Sequence, residues 1–170
     1  MNGLKFGSDG KYSSGYPALD KLIAKIIKNN TTDDMTQKER FEALYKYVMK
    51  NFKYRLVPYV ATNAVNWEPQ YAYNALSQNQ GNCYSYAASV TMLARACGYK
   101  AVGVSGAFTS SYHSSWVMHG WCQVTVDGTV YVCDAELQSV YAKNRNYYWW
   151  DMFFKTKSQI TAITTVRYSK

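Results

Sequence analysis

Three side chains in this sequence have the types and the spacing to form an acyl-transfer site: a thiol, an imidazole and a carboxylate. The thiol is Cys83, in "GNCYSYAAS" (Gly81–Ser89), where a cysteine opens what reads as a helix. A helix start places the positive end of the backbone dipole at that side chain, which favours thiolate over thiol. A cysteine that merely packs more often sits mid-face in the core, and this packing role is the alternative reading of Cys83. The imidazole is His119, in "HGW", and the carboxylate is Asp134, in "CDAEL". Between them Asp127-Gly128 is a strong signal for a two-residue hairpin turn. Such a turn sets Val126 opposite Thr129 and Trp121 opposite Asp134. Side chains alternate along a strand, so His119, Trp121 and Asp134 share a face, with His119 diagonal to Asp134 and within reach. A slip of one residue would move Asp134 to the other face.

Together these are the nucleophile, base and orienter of a cysteine acyl-transfer enzyme. The carboxylate would orient the ring and stabilise its protonated form. The backbone N–H of Cys83 would be one oxyanion donor, with Tyr71, Gln78 and Gln80 as candidates for the second. His113, in the Ser-rich "TSSYHSS", is a rival base with no acid in predictable reach. Taken singly, each of the three has a plain reading: packing thiol, strand histidine, strand-end acid. Their joint placement, at a helix start and on two adjacent strands, is what points to chemistry. Cys122 and Cys133 face each other on the opposite side of the hairpin. They could form a disulfide, although a hydrogen-bonded pair holds its backbones farther apart. With no CxxC pair, two histidines and no clustered acidic loop, neither a metal nor another cofactor is expected.

These groups need elements to hold them. Residues 18–29 read as a helix with Leu19, Leu22, Ile23, Ile26 and Ile27 on one face. "TQKE" (Thr36–Glu39) is a capping box that starts a second helix, with Phe41, Leu44, Tyr45, Val48 and Phe52 inward. "YRLVPYV" is extended, and "WEPQYAYNALSQNQ" reads as a third helix. The fourth, from Cys83, carries an apolar stripe through Cys97. Ser85, Ser89, Thr91 and Arg95 lie on its other side, and Gly98 stops it. The period then changes to 2: a strand at "KAVGVSGAF", a Ser-rich loop, the hairpin, an aromatic cluster "NYYWWDMFF", and a last strand at "ITAITTVRY". Helices followed by an antiparallel sheet make an α+β fold.

Composition bounds the rest. The chain has 170 residues, 48% hydrophobic and 18% charged, enough apolar content for one globular domain. The expected division is a leader at 1–16 and a domain at 17–170. No apolar run approaches the ~18 residues of a membrane span. "MNGLKFGSDG" lacks the basic and apolar parts of a signal peptide, so none is expected in this chain. The net charge of +8 is spread without a basic block, and no nucleic-acid motif accompanies it, so no nucleic-acid partner is expected. The 17 tyrosines resemble the composition of secreted and carbohydrate-associated proteins. "LKFGSDGKYSSG" resembles the end of one glycine- and aromatic-rich repeat of bacterial cell-wall-binding arrays. A disordered leader is the alternative.

The stretch "GNCYSYAASVTMLARACGYKAVGVSG", then "HGW", then "CDAEL", resembles the core of the transglutaminase-like superfamily over about residues 18–140. The resemblance implies a papain-like core in which a catalytic helix packs on an antiparallel β-sheet. It carries Cys83 over as nucleophile, His119 as base and Asp134 as orienter. One departure is Gly120, where many members have alanine or serine. The implied reaction is acyl transfer from a protein or peptide amide to Cys83. Resolution by water would make a protease or amidase; resolution by an amine would make a transglutaminase. The implied setting is secreted or at a bacterial cell surface, with cell-wall peptides or surface proteins as substrates. A non-catalytic binding module that retains the fold is the alternative, with the aromatic cluster Tyr147–Phe154 closing the cleft.

Overall fold

The computed structural model describes residues 5–6, 11–58, 66–110, 113–146, 151–163 and 167–169. A short hairpin, β1 (Lys5–Phe6) against β2 (Tyr12–Ser13), precedes helix α1 (Pro17–Asn30). Pro17 sits where the first turn tolerates it, and Leu19, Ile23 and Ile26 are buried. Helix α2 (Gln37–Asn51) begins at the expected capping box. The Thr36 hydroxyl accepts from the Glu39 N–H, and the Glu39 carboxylate accepts from the Thr36 N–H at 2.9 Å. Strand β3 (Lys53–Tyr54) follows, then α3 (Glu68–Gln78), whose C-cap Asn79 adopts a left-handed conformation. Strand β4 (Gln80–Gly81) pairs in parallel with β3.

Helix α4 (Cys83–Ala96) is the axis of the domain. The sequence predicts one buried stripe and one polar side, but every residue from Cys83 to Ala94 is buried. Helices α2 and α3 cover one flank and the sheet the other, so Ser85, Ser89 and Thr91 lie inside. The serines tolerate this by bonding within the helix and its cap: Ser89 Oγ donates to the Ser85 carbonyl at 2.8 Å, and Ser85 Oγ to Asn82 Oδ1 at 3.2 Å.

The main sheet has the order β7-β6-β5-β8 and is antiparallel throughout. Its strands are β5 (Lys100–Ser110), β6 (His113–Val126), β7 (Thr129–Cys133) and β8 (Arg167–Ser169). The expected Ser-rich loop is largely strand, because Ser110 pairs with His113 and the ladder extends to both. His113 therefore stands at the end of β6. Helix α5 (Ala135–Arg145) follows β7, and α6 (Lys157–Ile163) precedes β8. The sequence predicts a strand over all of "ITAITTVRY"; residues 160–163 are instead the end of α6, 167–168 are strand, and 164–166 lie outside the described residues. A second capping box wins locally: Gln159 N–H donates to Thr156 Oγ1 at 3.3 Å, and Gln159 Oε1 accepts from Thr156 N–H at 2.9 Å. Of the aromatic cluster, residues 147–150 lie outside the described residues. Met152 and Phe153 are buried, and Phe153 packs on Phe41 and Tyr45 of α2. The element order is that of an α+β fold: helices first, then a helix laid on an antiparallel sheet.

Candidate active site

Cys83 is placed by its two predecessors. The parallel β3–β4 pair fixes Gly81, whose carbonyl accepts from Arg55 N–H at 2.9 Å. A Cβ on Gly81 would collide with the Ser85 side chain. Asn82 then caps α4, its Oδ1 accepting from Ser85 N–H at 3.1 Å. Cys83 is thus the first residue of α4, and it lines a cavity of about 270 Å³.

His119 comes from β6, is buried, and lines the same cavity. Gly120 explains how the strand reaches it. A Cβ there would lie 2.7 Å from Tyr84 Cδ1 and 3.2 Å from Tyr84 Cα. The glycine lets β6 lie directly on the first turn of α4, which accounts for the departure from alanine or serine.

Asp134 is not a strand residue. The register runs as expected from Val126–Thr129 to Cys122–Cys133, but β7 ends there. Asp134 instead caps α5, because its Oδ1 accepts from Leu137 N–H at 3.0 Å. Its other oxygen, Oδ2, accepts from His119 Nε2–H at 2.7 Å and from the Tyr168 hydroxyl at 2.6 Å. The bond to Oδ2 leaves His119 Nδ1 facing the cavity. The Cys83 thiol also lies near enough to act on the ring's protonation. Burial pulls the imidazole toward neutrality. The charge and hydrogen bond of Asp134, the nearby Cys83 thiol and the charge of Glu136 outweigh this and hold it well above its ordinary value. Phe108, Trp121 and Tyr168 wall the ring in.

The structure thus brings Cys83, His119 and Asp134 together. It places the three oxyanion candidates elsewhere: Tyr71, Gln78 and Gln80 line a second cavity of about 340 Å³ with Ser85. Tyr71 meets Trp67 edge-to-face, and Gln80 Nε2 donates to Gln78 Oε1 at 3.0 Å. Tyr141, on α5, lines the Cys83 cavity, and so does a second phenol, Tyr54, on β3. Its ionisation is pushed up by burial and by the charges of Cys83 and Glu136, so it remains a proton donor at neutral pH. His113 is exposed at the rim of this cavity. Cys122 and Cys133 are cross-strand partners, buried and unbonded to each other.

Two neighbours escaped the sequence reading. Tyr168 reaches Asp134 only because β8 joins the far edge of the sheet, a non-local pairing that carries no short-range signal. Glu136, two residues after Asp134, stands in the first turn of α5, a helix that the sequence reading did not foresee. It is buried in the cavity with Oε2 3.9 Å from His119 Nδ1. Burial pushes its carboxyl up to about 7, the His119 charge opposing and the Asp134 charge adding. His119, Asp134 and Glu136 carry donor atoms within 4.8 Å of one another, the sort of set that could hold a metal ion. A cation there would have to displace the His119–Asp134 bond.

The family model of the transglutaminase-like superfamily matches residues 21–154. The chain belongs to this superfamily. Membership points to cysteine-dependent catalysis. Among solved structures, a provisionally assigned cysteine protease of Cytophaga hutchinsonii aligns with TM-score 0.51 and 17% identity. A provisionally assigned protease of Parabacteroides distasonis aligns with TM-score 0.42 and 13% identity. The alignments cover 69% and 80% of this chain, but 37% and 31% of those proteins. The chain thus spans only about a third of their length. At such identities the Cytophaga likeness speaks to the superfamily's fold alone. No curated protein matches the chain significantly.

Proposed function

We propose that this protein is a cysteine acyltransferase or peptidase acting on protein or peptide amides, with Cys83 as nucleophile, His119 as acid and base, and Asp134 as orienter. The observation that supports it most is a buried histidine, clamped by a carboxylate on one nitrogen, in one cavity with a thiol at a helix start. Cys83 Sγ attacks the amide carbon, and the backbone N–H of Cys83 receives the developing oxyanion. His119 gives its proton to the leaving amine as the C–N bond breaks. Water or a second amine then attacks the thioester, His119 takes a proton from it, and the proton passes to the departing sulfur. Asp134, held by Leu137 and Tyr168, keeps the Nε2–H tautomer throughout. Of the described part of the aromatic cluster, Phe153 packs against α2 and does not line this cavity.

The setting we propose is a bacterial cell surface, on the Tyr-rich basic composition and the resemblance of residues 4–15 to a wall-binding repeat. The chemistry is tested by incubating the protein with a casein substrate, with and without a fluorescent primary amine, against a Cys83→Ala control. Ammonia release or new peptide ends, or covalent amine on the casein, is expected with wild type alone. Equal signals from the control would overturn the assignment of Cys83.

A further inference from the structure

The cavity that holds Cys83 differs in charge from the protein around it. The chain carries +8, yet the described residues lining this cavity include no lysine or arginine. Its titratable groups are Cys83 from α4, His119 and His113 from β6, Glu136 from α5 and the phenols Tyr54 from β3 and Tyr141 from α5. Asp134 and Tyr168 stand behind His119. Two carboxyl groups, Asp134 and Glu136, flank the one imidazole, His119, so the acidic groups outnumber the basic ones around it. Glu136 is the carboxyl that no described donor holds. It is 8% exposed, it accepts no hydrogen bond among the described residues, and its nearest cation is His119 Nδ1 at 3.9 Å. Lys53 and Lys143 line the neighbouring cavity on its other side, and neither comes within ion-pair distance of it. Buried carboxylates are ordinarily hydrogen-bonded, so an open one facing a cavity calls for a donor from outside the chain.

The complement is a compact cation with several N–H donors on an apolar stem. A primary ammonium supplies three donors on a point charge. Tyr54, Val117 and Met118, exposed on the cavity rim, offer an apolar and aromatic surface for the stem.

We propose that Glu136 is the recognition group for a primary ammonium in this cavity, that of an amine which resolves the Cys83 thioester. This rests on the Cys83 reading above and selects aminolysis over hydrolysis. The proton balance is complete within the site. The bound ammonium gives one proton to the Glu136 carboxylate, and its nitrogen forms the bond to the thioester carbon. The C–S bond breaks, the second proton passes from nitrogen to neutral His119, and His119 delivers it to Cys83 Sγ. An acid poised at about 7 can take and release that first proton near neutral pH.

The test uses thiol reagents of one chemistry and different charge: 2-aminoethyl methanethiosulfonate (cation), methyl methanethiosulfonate (neutral) and 2-sulfonatoethyl methanethiosulfonate (anion). Rates at Cys83, localised by mass spectrometry, are measured for wild type and Glu136→Gln. Taking the cation-to-neutral ratio cancels the thiolate content of each protein. In wild type the ratio should exceed that of a small free thiol and fall about tenfold in Glu136→Gln, as loss of a charge-assisted contact implies. The anion-to-neutral ratio should move the opposite way. In wild type alone, the cation-to-neutral ratio should rise as pH passes about 7 and Glu136 ionises, a check that needs no variant. Equal ratios in both proteins with a flat pH profile overturn the role of Glu136, while a fast neutral reaction leaves Cys83 standing as nucleophile. A neutral rate no faster than that of the denatured chain overturns both.

Discussion

Toward one end of α4, Arg95 pairs with Glu68; at the other, His119 pairs with Asp134 beside Cys83. The first is largely buried, with the Arg95 side chain 12% exposed, and the second fully so, at 2.8 Å and 2.7 Å. In the first, every contact ends on the fold. Glu68 Oε1 accepts from Arg95 Nη2 and from Gly103 N–H, and Arg95 Nε donates to the Ala101 carbonyl at 2.9 Å. It ties α3, α4 and β5 together. In the second, one histidine nitrogen is committed to the carboxylate and the other side of the ring faces a cavity with a thiol. Burial and pairing alone therefore do not mark a reactive site. What marks one is a titratable atom left over after the framework is satisfied.

The comparison breaks most visibly under two substitutions. Asp134→Asn should lower kcat/KM on an amide substrate by about 10²–10⁴, because the ring loses its tautomer and its charge partner. Arg95→Met should instead leave Glu68 buried and unpaired and cost about 3–5 kcal/mol of stability by denaturant unfolding. Its kcat per folded molecule should stay near wild type. If Arg95→Met were stable but inactive, the division between framework pair and reactive pair would fail.

Tyr168→Phe sharpens the boundary between them, since this hydroxyl belongs to the fold yet touches the site. The phenol is held protonated by burial and the Asp134 charge, so it acts as a donor at any working pH. Its removal should cost about 1–3 kcal/mol and roughly tenfold in rate. A rate loss without change in the pH profile would make it a packing residue rather than one that positions Asp134.

The smallest effect concerns Glu136. Its folded value, about 7, lies above that of a free carboxyl, so its protonated form favours folding at low pH. That contribution is lost as pH rises toward and through 7. Glu136→Gln should therefore raise the melting temperature relative to wild type by a few degrees more at pH 8 than at pH 5. Parallel thermal melts at the two pH values check the sign.

Local rules made much of this legible. The Thr36 capping box, the Asp127-Gly128 turn and the alternation of β6 fixed elements within a residue or two, and with them the approach of His119 to Asp134. Asp134 itself was reached through a register that stops one residue earlier, and its role as a helix cap was missed. "TKSQ" carried a capping signal too, but the β-branched run after it suggested a strand. Tyr168, Glu136 and Tyr54 depend on how β8, α5 and β3 close around the cavity. Such long-range placements leave no trace in spacing along the chain.

The most direct test of the central claim is the rate of Cys83 alkylation by iodoacetamide as a function of pH, in wild type and His119→Ala, with the modified residue located by mass spectrometry. Cys97, at the far end of α4, is the internal contrast: burial pushes its thiol up to about 12, so it should stay unmodified at neutral pH. The account predicts fast reaction of Cys83 well below pH 8, at least about tenfold above a free thiol, and loss of that advantage in His119→Ala. A slow reaction at neutral pH, unchanged in His119→Ala, would contradict it and make Cys83 a packing residue.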